Sequence, residues 1–189
     1  MIKIILFLLT LTFISCNKES DPTTSVAGIT YDQIAGGSGG KTWSTCLADE
    51  DGGELKYTMA FGLTGGDSYN FTATAYDLDL NGDHTDCDPL YEAFETETVG
   101  TFSVTAKKLY INQTEYYITP LTSDNASAFN LLSFCGFDNG NTPWVEDVSK
   151  LVTNLTCGGL PMTPEFGQVN ATYHTTYIRV DEINLYLEE

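Results

Sequence analysis

Residues 55–75, LKYTMAFGLTGGDSYNFTATA, predict two neighbouring β-strands and the turn that joins them. Apolar side chains occupy every second position from Leu55 to Leu63, and the alternation resumes from Tyr69 to Ala75. A period of two is typical of a half-buried strand. Between the two runs, residues 64–67 (TGGD) supply turn chemistry. The stretch therefore predicts a hairpin with one face directed to a core.

The same pattern recurs along most of the chain from residue 41 to its end. Further strand candidates are Thr42–Cys46, Leu90–Thr98, Thr101–Ala106, Lys108–Ile111, Glu115–Leu121, Ala171–Val180 and Ile183–Leu187. This number of short strands predicts a mainly all-β fold, a small antiparallel barrel or sandwich of about eight strands. Closure of such a sheet removes exposed edges.

One or two short helices are expected before the last strand pair. Ser123 or Asp124 can cap the first, which should end near residue 135. Its buried stripe is predicted to comprise Ala126, Phe129, Leu131 and Leu132. A second helical turn is predicted over Trp144–Leu151.

Length and charge limit the possible partners. The chain has 189 residues, 42% of them hydrophobic, which suits one folded domain rather than a disordered chain. Its net charge of −18 repels nucleic acid and anionic headgroups, so neither is expected as a partner.

The amino terminus, MIKIILFLLTLTFISC over residues 1–16, indicates export. A positive start, a short apolar run and a small residue are typical of a secretory signal, too short to span a bilayer. Residues 13–16, FISC, resemble the lipobox of bacterial lipoproteins, with Phe13 where leucine is usual. This resemblance implies cleavage before Cys16, lipid attachment to Cys16, and anchoring in the cell envelope at the outer membrane or cell surface. The alternative is an ordinary signal peptide that is cleaved elsewhere.

The domain organisation follows from this leader. We expect a signal peptide at residues 1–15, a lipidated amino terminus and flexible tether at 16–40, and a β-barrel-like domain at 41–189. The tether is polar and ends in GGSGG; as a coil it would reach roughly 25–30 Å.

Four cysteines remain once Cys16 is assigned to lipid. An even number in an exported chain predicts two disulfides with three possible pairings. We favour Cys46–Cys87 and Cys135–Cys157, which need no threading and close loops of about 41 and 22 residues, each stabilising by about 3–4 kcal/mol. A zinc site is disfavoured because no two cysteines lie two to four residues apart.

An acidic segment, DLDLNGDHTDCD over residues 77–88, fits the spacing of a calcium loop. Alternate residues of a tight loop direct oxygens inward, and Gly82 permits the bend. The ligands would be Asp77, Asp79, Asn81, Asp83 (through its carbonyl), Thr85 and Asp88. The alternative is a solvated acidic hairpin loop without an ion.

Two segments resemble the lipocalin superfamily. Gly40-Lys41-Thr42-Trp43 is similar to the Gly-x-Trp that opens lipocalin barrels, with one residue more, and Arg179, the single arginine, lies near the end of the chain. The resemblance implies that Arg179 packs over Trp43 and closes the barrel. The alternative is a core tryptophan and a surface arginine.

Aromatic residues on the predicted strands suggest a ligand cavity or a filled interior. They are Tyr57, Phe61, Tyr69, Phe71, Phe102, Tyr117, Tyr173 and Tyr177. The leading expectation is a non-enzymatic binding module for a small hydrophobic ligand or a surface protein partner. The alternative is a surface adhesin or structural lipoprotein whose acidic loop is ordered by calcium.

Signals for catalysis are poor. No nucleophile motif accompanies His84 or His174, and no phosphate-binding loop precedes a helix. Glu95 and Glu97 could face one cleft as glycosidase carboxylates do, although a solvent-facing position is the simpler interpretation. We therefore expect the protein not to be an enzyme.

Overall fold

A computed structural model describes residues 28–36, 39–48, 53–63, 66–77, 86–137, 142–174 and 176–188. Over these residues the chain is mostly β-strand, which confirms the predicted all-β fold. Its strands are β1 (Lys41–Ala48), β2 (Glu54–Phe61), β3 (Ser68–Tyr76), β4 (Glu92–Thr105), β5 (Lys108–Pro120), β6 (Lys150–Leu151), β7 (Thr156–Cys157), β8 (Leu160–Pro161), β9 (Phe166–Val169), β10 (Ala171–Tyr173), β11 (Tyr177–Val180) and β12 (Ile183–Leu187). Helices α1 (Tyr31–Ala35) and α2 (Ser123–Leu131) and 3-10 turns at Pro89–Tyr91 and Phe134–Gly136 complete these elements.

One curled antiparallel sheet contains ten of the strands in the described residues. Its order is β10-β11-β12-β1-β2-β3-β4-β5-β6, and β9 pairs with the other half of β5. Only Asn170 separates β9 from β10, which pair with β5 and β11 respectively. Residues 166–173 therefore connect the two ends of the sheet, giving it a barrel-like form.

Several predicted strands have different limits in the structure. The two candidates in residues 90–106 form the single strand β4, and the two in 108–121 form β5. Conversely, the predicted strand Ala171–Val180 is wrong, because it folds back as the antiparallel pair β10 and β11 with Ala171 opposite Val180. A period-two pattern does not reveal such a reversal, since both arms carry the same alternation.

The predicted tether is wrong for residues 28–36, which belong to the folded domain. Thr30 caps α1 by accepting a hydrogen bond from the Gln33 amide, and the Gln33 side chain accepts one from the Thr30 amide. Ile29 and Ile34 are completely buried. The domain thus begins before the predicted boundary at residue 41. Residues 1–27, including the signal peptide and Cys16, lie outside the described residues.

Helix α2 is shorter than predicted and has another cap. The Thr122 hydroxyl, rather than Ser123 or Asp124, accepts from the Asn125 amide. Ala126 and Phe129 are buried as expected, but Leu131 and Leu132 are exposed because the helix ends there.

The predicted helical turn at Trp144–Leu151 is also wrong. The chain makes an isolated turn at residues 146–147 and then forms β6, which pairs with β5. The backbone N–H and C=O groups of this segment are satisfied by pairing with the edge of β5, so they need no helix.

Two apolar clusters fill opposite ends of the curled sheet. The lower cluster surrounds Trp43, Phe61 and Phe102; the upper one surrounds Phe94, Phe129 and Trp144. Strand register fixes this arrangement, because Phe61 pairs with Tyr69 at one end of the β2–β3 pair and Leu55 pairs with Ala75 at the other. The space between the clusters is where the candidate site lies.

Candidate ligand-binding site

A cavity of about 370 Å³ lies between the two clusters. The inner faces of β2 to β5 form one side, and residues 160–169 form the other. Its apolar lining includes Met59, Phe71, Ile111, Ile118, Met162 and Val180. Its polar lining includes Tyr69, Thr96, Thr98, Gln113, Tyr116 and Glu165.

A β-bulge in β5 brings two of the polar groups into this cavity. Val99 pairs with Glu115 while Gly100 pairs with Gln113, so Thr114 is the extra residue in the register, and its hydroxyl donates to the Val99 carbonyl at 3.1 Å. The extra residue reverses the inward and outward alternation. Gln113 and Tyr116 therefore lie on the same face of β5, both line the cavity, and the Tyr116 hydroxyl donates to Gln113 Oε1.

Gly100 is required beside the bulge by close backbone approach. A Cβ atom on Gly100 would lie 2.1 Å from the Asn112 carbonyl oxygen. Gly100 also pairs with Tyr69 on β3 and with Gln113 on β5. Gly100, which has no side chain, thus lies between the polar lining residues Tyr69 and Gln113.

Two phenols of the lining, those of Tyr69 and Tyr116, stay protonated at neutral pH. Tyr69 is 3% exposed, and burial, with a smaller effect of Tyr116, raises its pKa far above the usual range. Burial, followed by the nearby Glu165 carboxylate, raises the pKa of Tyr116 to about 12. Within the described part of the chain, the Tyr69 hydroxyl makes no hydrogen bond to another residue, so it is a free donor and acceptor at the cavity wall.

A hairpin formed by residues 154–162, containing β7 and β8, contributes one wall of the cavity. It leaves the edge of β5 after Val152, whose amide donates to the Tyr116 carbonyl at 2.8 Å. The chain returns at Glu165, whose carbonyl accepts from the Gln113 amide at 2.9 Å. The Cys135–Cys157 disulfide ties the hairpin to the 3-10 turn after α2.

The aromatic residues predicted to line a cavity divide between two roles. Tyr69, Phe71 and Tyr117 line it. Phe61 and Phe102 instead contact each other edge to face in the lower cluster, with ring centroids 5.1 Å apart. The remaining three, Tyr57, Tyr173 and Tyr177, contact other aromatic rings.

Tyr116 also lines the cavity, although it was not among the aromatic residues predicted to do so. The prediction named its neighbour Tyr117. The Tyr117 hydroxyl in fact donates to Glu115 at the surface. Thr96, Thr98 and Gln113 on the strands indicate in the sequence that one wall is partly polar. They do not show where β5 contains a bulge.

Both predicted disulfides are confirmed. Cys46 is bonded to Cys87 and Cys135 to Cys157. These bonds indicate an oxidising, extracytoplasmic compartment.

A carboxylate lies beside the first disulfide: a Glu54 oxygen lies within 4.8 Å of the Cys46 and Cys87 sulfurs. The disulfide-bonded sulfurs offer no thiolate to a metal ion. The Glu54 carboxylate accepts hydrogen bonds from the Asp86 and Cys87 amides.

The predicted closure of the barrel by Arg179 over Trp43 is wrong. Arg179 is exposed, since its neighbours Ile178 and Val180 direct their side chains to the core. Lys41 takes the position near the tryptophan ring, with Nζ 5.6 Å from the ring centroid.

Most of the predicted calcium loop, including Asp79, Asn81, Asp83 and Thr85, lies outside the described residues. Of its two ends, Asp77 is exposed and its amide donates to the Tyr91 carbonyl at 2.9 Å. Asp88 Oδ1 accepts from the Leu90 amide at 3.0 Å. Calcium binding therefore remains a prediction.

Glu95 and Glu97 lie on the outer face of β4, because Thr96 between them lines the cavity. Glu97 accepts from Asn70 Nδ2, and Glu95 accepts from the Thr74 hydroxyl. The two carboxylates therefore do not share the cavity as the glycosidase hypothesis required.

No protein-family model matches the sequence, and no curated protein matches it significantly. None of the helices in the described ranges has the length and apolar character needed to cross a bilayer.

Proposed function

We propose that the protein is a non-enzymatic binding module that holds a small, mainly apolar ligand in this cavity. The observation that carries the proposal is the open volume of about 370 Å³ between two filled aromatic clusters. Ligand sites typically enclose about 300–1,000 Å³ and combine an apolar wall with a few polar groups. The wall found here has apolar side chains beside polar groups that include the hydroxyl of Tyr69 and the amide of Gln113, and it fits that description.

The lipobox resemblance supports a place for this module in the bacterial cell envelope. Acyl chains on Cys16 would anchor it, and the residues between Cys16 and Gly28 would leave the domain free in the surrounding water. The oxidised cysteines agree with export. A Cys16→Ser variant tests the anchor: it should leave the membrane pellet and appear in the soluble fraction, whereas an unchanged distribution contradicts lipid attachment.

Binding is tested with phenylnaphthylamine, a neutral dye that fluoresces strongly in apolar surroundings. The wild-type protein should enhance its emission in a saturable manner. Thr98→Phe places a ring in the cavity and should abolish the enhancement, because Thr98 is a buried lining residue.

Ser103→Phe is the matched control, since Ser103 lies exposed on the same strand. It introduces the same ring outside the cavity and should leave dye binding unchanged. Saturable binding that is equal in the two variants, or no binding to the wild type, would contradict the proposal.

A further inference from the structure

We infer that the cavity selects amphiphiles with a neutral hydrogen-bonding head, such as an alcohol, over those with a carboxylate or an ammonium head. This inference rests on the proposed function and names the ligand class of the same site. It follows from the charges and hydrogen-bonding groups that surround the open volume.

The first observation is the absence of a cation in the wall. None of the described residues that line the cavity is Lys, Arg or His. A carboxylate moved from water into this wall would lose its hydration without gaining an ionic partner, which is costly. Glu165 adds repulsion, because it faces the same space and is close enough to Tyr116 to raise the pKa of that phenol.

An ammonium head is disfavoured for a different reason. Glu165 is the single charged residue in the described lining, and it is an exposed residue. A cation could therefore reach its partner only where water already solvates both charges, which adds little affinity. Deeper in the cavity the cation would have no anionic partner among the described lining residues, so its lost hydration would not be compensated.

A neutral head finds partners further inside. Tyr69 presents a hydroxyl that no other described residue engages, and Gln113 keeps its amide nitrogen because Tyr116 occupies its oxygen. Gly100 lies between Tyr69 and Gln113 in register and leaves the space between them without a side chain. An alcohol, which both donates and accepts, matches this pair.

The test compares three probes with the same ten-carbon chain: decanol, decanoate and decylammonium. Each displaces bound phenylnaphthylamine from the wild-type protein at about pH 8 in about 0.15 M salt, where the overall charge of the protein is largely screened. We expect decanol to bind about tenfold more tightly than either charged probe. This ratio corresponds to a difference of about 1.4 kcal/mol in binding free energy.

Two variants assign the selectivity to named groups. Tyr69→Phe should weaken decanol about threefold to tenfold through loss of one hydrogen bond, with little effect on folding because the hydroxyl has no partner in the described structure. Glu165→Gln should reduce the ratio between the decanol and decanoate affinities, because it removes a repulsion that acts on the carboxylate. Its backbone carbonyl, which accepts from the Gln113 amide, is retained.

The outcomes separate the two proposals. If the dye and all three probes fail to bind, the proposed function is wrong and the inference falls with it. If the dye binds but decanoate or decylammonium equals or exceeds decanol, the binding function stands and the inference is overturned. An unchanged affinity for decanol in Tyr69→Phe would also overturn it.

Discussion

The indole nitrogen of Trp43 donates a hydrogen bond to the backbone carbonyl of Ile34 at 2.9 Å, and both side chains are buried. This bond joins α1 to β1 and satisfies a carbonyl of a helix that is only five residues long. The segment that the sequence presents as the end of a tether is thereby part of the lower cluster.

A chain that begins at Lys41 should accordingly be less stable than one that begins at Gly28. Removal of Ile29 and Ile34 exposes the cluster and costs about 3–6 kcal/mol, since each fully buried aliphatic side chain contributes about 1.5–3 kcal/mol. Urea unfolding measures the difference. A chain that begins at Asn17 serves as the control and should match the one from Gly28. Equal midpoints for the chains from Lys41 and Gly28 would restore the tether interpretation.

The bulge in β5 should make Gly100 intolerant of any side chain. Gly100→Ala places a Cβ atom against the Asn112 carbonyl and should destabilise the protein by about 2–3 kcal/mol. Gly167→Ala is the matched control, because no atom lies within 4 Å of its Cβ position, and it should change stability by no more than about 0.5 kcal/mol. Thermal unfolding of both variants gives the comparison; similar losses in both would argue against the close approach.

The two disulfides should differ in their effect on ligand binding. Each contributes about 3–4 kcal/mol of stability in the chain-entropy model, so Cys46→Ser/Cys87→Ser and Cys135→Ser/Cys157→Ser should both lower the unfolding temperature. Only the second pair frees the hairpin at residues 154–162, which lines the cavity. The affinity of the Cys135→Ser/Cys157→Ser variant for the dye should fall roughly threefold to tenfold, because ligand binding must then order the hairpin.

That comparison is made at a temperature at which circular dichroism shows both double variants to be folded. Equal dye affinity in the two would indicate that the hairpin holds its position without the covalent bond.

Glu95 should be a source of pH-dependent instability. Burial, and then the neighbouring Glu97, raises the pKa of its carboxyl group in the folded state. The free energy of unfolding therefore falls as pH rises from the ordinary glutamate pKa through the raised one, because the folded protein holds the proton more tightly. Below the ordinary glutamate range this loss of stability is absent. Glu95→Gln removes the charge and should stabilise the protein by about 0.5 kcal/mol at neutral pH. The gain should vanish below about pH 4, where the wild-type carboxyl is protonated. An equal gain at about pH 4 and at about pH 7 would contradict this explanation.

Calcium should stabilise the protein if residues 77–88 bind it. At about ten times the dissociation constant, the ion would add about 1.4 kcal/mol to the free energy of unfolding and raise the melting temperature by several degrees. Asp79→Ala removes one predicted ligand and should abolish the shift, whereas Asp67→Ala, outside the loop, should preserve it. A shift that persists in Asp79→Ala would remove the loop as its origin, and the absence of any shift in the wild type would end the calcium hypothesis.

Local patterns in the sequence determined much of the fold. The alternation at residues 55–75 gave the β2–β3 hairpin, and sequence proximity gave both disulfide pairings. These features were predictable because side-chain direction in a strand has a period of two, and because neighbouring cysteines can pair without threading the chain.

The tertiary structure alone decided which residues meet in the cavity. A bulge shifts every later side chain of its strand by one face, and its position depends on the partner strand. Because the bulge lies opposite Gly100 on β4, the Tyr116 hydroxyl reaches Gln113 in the cavity, whereas the Tyr117 hydroxyl reaches Glu115 at the surface. Likewise, Arg179 is directed to solvent because Ile178 and Val180 occupy the inner face. The local pattern shows that side chains alternate between two faces of the sheet. The register between strands that are distant in sequence fixes which of the two faces each side chain occupies.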